Sequence, residues 1–184
     1  MCRISPIDPN AATGVAKQTL DAVKTEFGMV PMMVRTMAQS GAVVAGWAAL
    51  NGALAGGVLS PRTRELVALA VAQANADSYC LAEHSAIGRM VGLTPEEEIE
   101  ARRGRAANAK EDAAVGLALA ILETRGGVSD DELAFARSAG LSDAELSEVA
   151  AHVALNMFTN YFNRLADTEI DFPRIDVRLP GDTV

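Results

Sequence analysis

Small apolar side chains dominate this sequence, and they restrict its fold more than any other feature. Alanine accounts for 34 of the 184 residues, whereas aromatic residues make up only 4% of the chain. Alanine has the highest intrinsic helix propensity, and its small side chain allows helices to pack closely. No segment has the two-residue periodicity of a β-strand. The composition therefore predicts an all-α fold in which helix packs on helix.

Helix start and stop signals recur along the chain. Ser60-Pro61 and Thr94-Pro95 each combine an N-cap residue with proline at the first helical position. Ser129 and Ser142 each precede a glutamate by three residues, which is the capping-box spacing. Together with the glycines that stop helices, these signals predict helices over residues 11–27, 32–39, 42–55, 61–75, 78–91, 95–104, 109–125, 130–138 and 143–166.

Length and charge limit the class of protein. The 184 residues contain no linker and predict one domain over 1–184, with an N-terminal tail at 1–10 and an extended C-terminal arm at 172–184. The net charge of −8 argues against nucleic-acid binding, which requires basic clusters. Residues 1–10 contain no apolar signal-peptide core, so we expect a cytoplasmic protein.

The most apolar segment runs from Gly41 to Leu59 and contains a single polar residue, Asn51. Its length approaches the roughly 20 residues that span a membrane. It consists largely of alanine and glycine and lacks the usual basic or aromatic flanks. We therefore expect a buried helix and no membrane partner.

One pair of predicted helices brings together residues that could carry chemistry. Glu65 begins a run, Leu66–Ala72, that is apolar on every side of its helix and must be buried. On one continuous helix, Glu65 and Cys80 would lie about 22 Å apart. A turn near Asn75 would instead fold the two helices antiparallel, placing Glu65 opposite His84. A salt bridge from Glu65 to Arg62 or Arg64 is the structural alternative.

Cys80 is the candidate nucleophile. It falls in the first turn of the second helix, where the helix dipole favours a thiolate, and the chain's other cysteine is Cys2. Two cysteines exclude a disulfide scaffold. His84 follows Cys80 by four residues and lies on the same helix face. The predicted order is nucleophile Cys80, base His84 and orienting carboxylate Glu65. A buried structural cysteine beside a surface histidine is the alternative.

Other assignments are weaker. Cys80, His84 and Glu65 could in principle form a three-ligand zinc site, but we predict no metal. His152 lies on an apolar helical stretch, and we expect it to be a core histidine with its hydrogen bonds satisfied.

Three parts of the chain carry a family resemblance. Arg64–Ala72 with Asn75 and Tyr79–His84, together with Asn156–Asp167 and Asp171–Pro173, resemble the AhpD-like, carboxymuconolactone decarboxylase family, most of all its peroxidase-related branch. The resemblance also includes Val30-Pro31 and extends from about Pro31 to Pro173. It implies an AhpD-like helical bundle that assembles as a symmetric homo-oligomer, commonly a trimer or hexamer.

The resemblance also implies roles for individual residues. Redox members of the family use a Cys-x-x-Cys pair, whose second cysteine reacts with peroxide while a histidine and a glutamate relay its proton. These roles carry over to Cys80, His84 and Glu65. The first cysteine does not carry over, because Asp77 occupies its position. Asp77 cannot form a disulfide and would raise the pKa of the thiol, although it is also a good N-cap. Asp77 and Tyr79 are secondary site candidates.

Three functions remain open on the sequence. The first is a thiol-dependent peroxidase-like oxidoreductase that acts on a hydroperoxide and needs no bound cofactor, only an external thiol or thiol protein as reductant. The second is an acid–base enzyme, as in the decarboxylase branch, that uses His84 and Glu65 while Cys80 is a bystander. The third is a helical oligomer that has lost catalysis.

Overall fold

The computed structural model describes residues 2–181, and their regular secondary structure is helical throughout. The helices are α1 (Gly14–Phe27), α2 (Met32–Met37), α3 (Gly41–Ala55), α4 (Pro61–Ala74), α5 (Ser78–Met90), α6 (Pro95–Arg102), α7 (Ala109–Thr124), α8 (Asp130–Ser138) and α9 (Asp143–Ala166). The predicted all-α class is confirmed.

The predicted capping signals account for the observed helix starts. The hydroxyl of Ser60 accepts from the backbone N–H of Thr63, and Pro61 is the first residue of α4. Thr94, Ser129 and Ser142 each form a complete capping box with the glutamate three residues later. The largest boundary error is at α1, which begins at Gly14 instead of residue 11. The preceding residues are held in a turn by backbone hydrogen bonds to the carbonyl of Asp8.

Helix α4 lies at the centre of the bundle. It packs against α5, α6, α7 and α9, and every residue from Leu66 to Ala72 is buried. Alanines at several of these contacts let the neighbouring backbones approach closely, as the composition predicts. The burial predicted for this run is therefore confirmed, and α4 provides a rigid support for the side chains at its ends.

Helix α3 is only partly buried, although its apolar sequence predicts a buried helix. Its inward side buries Val44, Trp47 and Leu54, but Leu50 and most of its alanines and glycines are exposed. Its main packing partners are α1, α2 and α9, and most of the residues on its remaining side are exposed. It is therefore a half-buried helix at the edge of the bundle. Among residues 2–181, no helix is long and apolar enough to cross a membrane.

The turn between α4 and α5 reverses the chain within three residues. The N–H groups of Asp77 and Ala76 bond to the carbonyls of Ala72 and Gln73, which is the hydrogen-bond pattern of a Schellman motif. Ala76 has a left-handed backbone with φ of 50°. Asp77 then caps α5 by accepting from the N–H of Tyr79. The predicted antiparallel hairpin is present because the turn satisfies both helix ends.

Both chain ends lie along the bundle. The N–H groups of Arg3 and Ile7 bond to carbonyls of Ala166 and Arg35. The guanidinium of Arg102 donates to the carbonyls of Asp176 and Val177. The extended tail and arm thus pack on the helices, while Met1 and residues 182–184 lie outside the described residues.

Candidate active site

The α4–α5 hairpin brings Glu65 and His84 into direct contact. Nδ1 of His84 lies 2.8 Å from Oε2 of Glu65. Their side chains are 19% and 14% exposed, so the pair is largely withdrawn from water. The alternative salt bridge from Glu65 to Arg62 or Arg64 does not form. Arg62 pairs with Glu97 and Glu111, and Arg64 donates to carbonyls at the end of α3.

The charge state of His84 differs from the predicted role of a base. Burial alone would lower its pKa, but the charge and hydrogen bond of Glu65, followed by the charges of Glu83 and Asp77, raise it to about 9. His84 is therefore protonated at neutral pH. In this state it can donate a hydrogen bond or a proton, but it cannot accept the proton of a thiol.

Cys80 lies deeper than its position in the first helical turn suggests. Its side chain has no exposed surface. Sγ donates to the hydroxyl of Thr159 at 3.7 Å and accepts from the amide of Asn163 at 3.4 Å, both from α9. These contacts hold the sulfur in a single position between α5 and α9.

The environment of Cys80 also overturns the expected activation by the helix dipole. Burial first, and then the charges of Asp77 and Glu83, raise the pKa of the Cys80 thiol well above its usual range. The hydrogen-bond contact with Thr159 opposes this rise but does not reverse it. The thiol is consequently protonated at rest, because desolvation outweighs the partial charge of a helix N-terminus.

The two secondary candidates have structural partners. Asp77 is 3% exposed, and burial raises the pKa of its carboxyl although hydrogen bonds from the Cys80 thiol and the Tyr79 N–H oppose that rise. Tyr79 is buried, donates its hydroxyl to Asp171 and packs edge-on against Phe172. Asp77 therefore caps α5, and Tyr79 holds the start of the C-terminal arm.

A cavity of about 230 Å³ opens beside the hairpin. Its walls combine apolar side chains of α1, α3, α5 and α9 with titratable and amide groups. It is lined by Val23, Glu26, Phe27, Pro31, Met33, Trp47, Asn51, Ala55, Arg64, Glu65, Ala68, Glu83, His84, Ile87, His152, Leu155, Asn156 and Thr159. Cys80 is not part of the lining, but its hydrogen-bond partner Thr159 is.

Glu83 is a site residue that the sequence interpretation missed. It lines the cavity, is 9% exposed and follows Cys80 by three residues. One of its oxygens, a nitrogen of His84 and Sγ of Cys80 lie within 4.8 Å of one another. The signal for it was available, since the helical spacing that pairs Cys80 with His84 also places residue 83 beside Cys80.

The same three side chains are the set, within residues 2–181, that could converge on a metal ion. Glu65, which the alternative zinc site would have used as its third ligand, is the hydrogen-bond partner of His84. A metal ion requires a deprotonated thiol, whereas burial raises the pKa of the Cys80 thiol and Sγ donates to Thr159. We therefore interpret the cluster as a proton-transfer site.

His152 also differs from expectation. It is buried, at 6% exposed, and lines the cavity, but its Nε2 has no hydrogen-bond partner in the structure. Burial first, then the positive charge of Arg64, lower its pKa, so His152 is neutral at neutral pH. It is not the fully hydrogen-bonded core histidine that its apolar helical context predicts, because Nε2 is buried without a partner among the described residues.

Comparison with known proteins agrees with the sequence resemblance. Residues 41–124, which include α3, the α4–α5 hairpin and α7, match the model of the carboxymuconolactone decarboxylase family. Within these residues the chain is similar to that family, and the match covers less than half of its length. No curated protein sequence matches the chain.

Solved structures extend the similarity to nearly the whole chain. An uncharacterized peroxidase-related protein from Ralstonia eutropha JMP134, described as an alkylhydroperoxidase AhpD core, is 22% identical over 92% of each chain, with a TM-score of 0.84. A peroxidase-related protein from Silicibacter sp. TM1040 is 19% identical over 90% of this chain and 88% of its own, with a TM-score of 0.78.

A third similar structure belongs to a different kind of enzyme. It is a cysteine-to-alanine variant of the debrominase Bmp8 in complex with 2,3,4-tribromopyrrole, 17% identical over 91% of each chain, with a TM-score of 0.76. At these identities the comparisons establish the AhpD-like helical fold. The activity has to be inferred from the site itself.

Proposed function

We propose that this protein is a thiol-dependent, peroxidase-like oxidoreductase in which Cys80 reduces a hydroperoxide. The observation that carries the proposal is the cluster beside the cavity, where the sulfur of Cys80, a nitrogen of His84 and an oxygen of Glu83 lie within 4.8 Å of one another. A nucleophile within reach of proton-transfer groups is the arrangement that covalent thiol chemistry requires.

The reaction transfers one oxygen atom to sulfur. Deprotonated Cys80 attacks the terminal oxygen of the hydroperoxide, the O–O bond breaks, and an alcohol leaves as the thiol becomes a sulfenic acid. Protonated His84, held by Glu65, stabilises the negative charge that develops on the leaving oxygen.

The reductant must come from outside the chain. Asp77 occupies the position from which a second cysteine would resolve the sulfenic acid, and Cys2 lies against the backbone N–H of Glu169. An external thiol attacks the sulfenic acid, releases water and forms a mixed disulfide. A second external thiol then releases Cys80 and leaves as the external disulfide.

Access to the sulfur requires a small movement. Thr159 lines the cavity and accepts the hydrogen bond of the Cys80 thiol, so its side chain lies between the substrate space and the sulfur. Rotation of this one side chain would expose Sγ to a bound hydroperoxide. The apolar cavity walls contributed by Phe27, Trp47 and Leu155 favour an organic hydroperoxide as substrate.

The test is oxidation of Cys80 in single-turnover reactions. Wild-type protein, Cys80→Ser and the matched control Cys2→Ser are mixed with hydrogen peroxide, cumene hydroperoxide or 2,3,4-tribromopyrrole, and dimedone adducts are mapped by mass spectrometry. We expect an adduct on Cys80 in wild type and Cys2→Ser, with hydroperoxide consumption lost in Cys80→Ser. Equal consumption by wild type and Cys80→Ser would refute the proposal.

The second candidate is an acid–base enzyme, and the composition of the cavity favours it. Glu65, Glu83, His84 and His152 line the cavity, whereas Cys80 does not. In that case His84 and the carboxylates move protons on a small acid or lactone. Turnover that survives Cys80→Ser but is abolished by His84→Ala would establish this function in place of the first.

A further inference from the structure

Glu83 is a buried carboxyl of the cavity that no described residue holds by a hydrogen bond. It is 91% buried, since only 9% of its surface is exposed, and it lines the cavity. Within residues 2–181, its carboxylate oxygens take part in no hydrogen bond or ion pair. A buried carboxyl without a partner is costly, so its retention at the site calls for an explanation.

The neighbouring titratable groups are already engaged. The carboxylate of Glu65 holds Nδ1 of His84. That of Asp77 accepts from the backbone N–H of Tyr79 and the amide of Asn163 and contacts the Cys80 thiol, but Asp77 does not line the cavity and so cannot pass a proton to a bound substrate. His84 carries its proton at neutral pH because the charge and hydrogen bond of Glu65, together with the charges of Glu83 and Asp77, outweigh its burial and raise its pKa. Within residues 2–181, Glu83 therefore differs from Glu65 and Asp77 in that it lines the cavity while neither of its oxygens is held by a hydrogen bond.

We propose that Glu83 is the proton-transfer residue of this site: it accepts the proton of the Cys80 thiol and returns it to the leaving oxygen of the substrate. Its oxygen lies within 4.8 Å of Sγ, a separation that one water molecule or the bound hydroperoxide spans. This role rests on the proposed function and replaces the proton-accepting role that the sequence suggests for His84.

The proton balance of the step is complete. The thiol proton moves to the Glu83 carboxylate, and the thiolate forms the S–O bond while the O–O bond breaks. The protonated Glu83 then gives its proton to the alkoxide, which leaves as an alcohol. Sulfur loses two electrons, the hydroperoxide gains them, and Glu83 ends as a carboxylate ready for the next turnover.

The charges around Glu83 suit a group that must both accept and donate. Burial raises its pKa, His84 lowers it, and Glu65, Asp171 and Asp77 raise it again, to about 7. Arg64 and His152 face the same cavity from α4 and α9, and Glu26 faces it from α1. Near neutral pH both forms of the Glu83 carboxyl are populated, so neither half of the proton transfer is strongly uphill.

The test compares Glu83→Gln with wild type, Cys80→Ser and a control, Glu96→Gln. Glu96 is exposed in the first turn of α6, so its variant makes the same chemical change far from the cysteine. Two rates are measured from pH 5 to 9 in each protein that retains Cys80: oxidation of Cys80 by cumene hydroperoxide and its alkylation by iodoacetamide. Thermal unfolding by circular dichroism verifies that every variant is folded.

We expect oxidation of wild type to rise with a midpoint near pH 7, and Glu83→Gln to be slower by about 100-fold at pH 7.5. Alkylation provides a signature that a purely structural role would not produce. Removing the Glu83 charge lowers the pKa of the Cys80 thiol, since that charge raises it. A lower thiol pKa alone would make alkylation of Glu83→Gln faster at every pH. Loss of the proton acceptor has the opposite effect near pH 7, where hydroxide is too dilute to replace it, so we expect slower alkylation than wild type there, at least equal alkylation at pH 9, and profiles that cross.

The outcomes separate this role from the proposed function. Coincident profiles for wild type and Glu83→Gln with both reagents would overturn the role of Glu83, even if Cys80 proves to be the peroxide-reacting thiol. Crossing alkylation profiles without any oxidation of Cys80 would support proton exchange between Glu83 and the thiol while refuting peroxide as the substrate.

Discussion

At the scale of single residues, the site depends on carboxyl groups in different environments. Glu65 lies against an imidazolium, whereas Glu83 faces the cavity without a hydrogen bond. Glu83 and His84 are neighbours in the sequence of α5. The pKa of the Glu83 carboxyl is raised to about 7, whereas the pKa of the His84 imidazole is raised to about 9, so His84 stays protonated at neutral pH. Their different environments assign them different tasks.

The Glu65–His84 contact predicts a specific pattern of histidine titration. The chain contains two histidines, and NMR of their ring protons can follow both. We expect His84 to titrate near pH 9 and His152 below the ordinary value of 6.5. In Glu65→Gln the pKa of His84 should fall by at least about 1 unit, because burial is then less opposed, while His152 changes little. An unchanged pKa of His84 in this variant would contradict the assigned pairing.

The buried Glu83 carboxylate predicts a pH-dependent cost in stability. Because folding raises its pKa from 4.5 to about 7, the folded state loses stability as pH rises through that interval. Well below pH 4.5 the carboxyl is protonated in the folded and the unfolded state alike, so burying it does not lower the free energy of unfolding through its charge. Glu83→Gln should match wild type near pH 4.5 and be more stable by about 3 kcal/mol at pH 8.

Urea denaturation at those two pH values measures this difference. Glu96→Gln serves as the control because its carboxyl is exposed and forms no hydrogen bond that would be lost. A stability difference between Glu83→Gln and wild type that is independent of pH would contradict the charge-burial explanation.

At the scale of secondary-structure elements, the turn between α4 and α5 determines the site. The turn places Glu65 opposite His84, and hydrogen bonds from α9 hold the turn in position. The amide of Asn75 donates to Asn160 at 2.9 Å, and Arg164 donates to the carbonyl of Asn75. The same helix supplies Thr159 to the cysteine, so α9 couples the geometry of the turn to that of the sulfur.

The left-handed residue of this turn predicts a stabilising substitution. Ala76 has φ of 50°, where its Cβ is strained and glycine is not. Ala76→Gly should therefore raise the free energy of unfolding by about 0.5–1 kcal/mol, after allowing for the greater entropy of glycine in the unfolded chain. Ala74→Gly is the matched control.

Ala74 is the last residue of α4 and is exposed, so glycine there should lower stability by about 0.5–1 kcal/mol. Guanidinium denaturation of both variants gives the comparison. If Ala76→Gly loses stability as Ala74→Gly does, the assigned turn conformation is wrong.

At the scale of the whole molecule, an exposed apolar surface supports the oligomer implied by the family resemblance. Tyr161 and Leu165 follow one face of α9 and are 55% and 64% exposed, and Leu50 of the half-open α3 is 39% exposed. Exposed apolar side chains along one helix face can form a subunit contact, so we propose that this face of α9 meets a second copy of the chain.

Analytical ultracentrifugation tests this proposal. We expect wild type to sediment as a multiple of its 19.3 kDa chain and the double variant Tyr161→Glu, Leu165→Glu to sediment nearer to one chain. Phe135→Glu on α8 is the control, since Phe135 is 65% exposed but lies on another helix. A wild-type mass of 19.3 kDa would contradict self-association.

Local sequence signals were sufficient for the helices and for one pair of site residues. Caps such as Ser60 and Thr94 act through hydrogen bonds within four residues, so their effect can be inferred without the fold. The chain reversal at Asn75 is equally local. Because the rise per residue of a helix is fixed, the position of this turn determines that Glu65 and His84 lie opposite each other.

Tertiary structure decided the ionisation of the site, and for a physical reason. A pKa depends on how much water the whole fold removes and on which charges it brings near. Here α9 covers the sulfur of Cys80, and Asp171 of the C-terminal arm adds its charge to those of the hairpin. Composition and helix signals determined that this chain is an all-helical bundle. Only its packing decided that Cys80 is buried as a thiol, that His84 keeps its proton and that Glu83 faces the cavity without a partner.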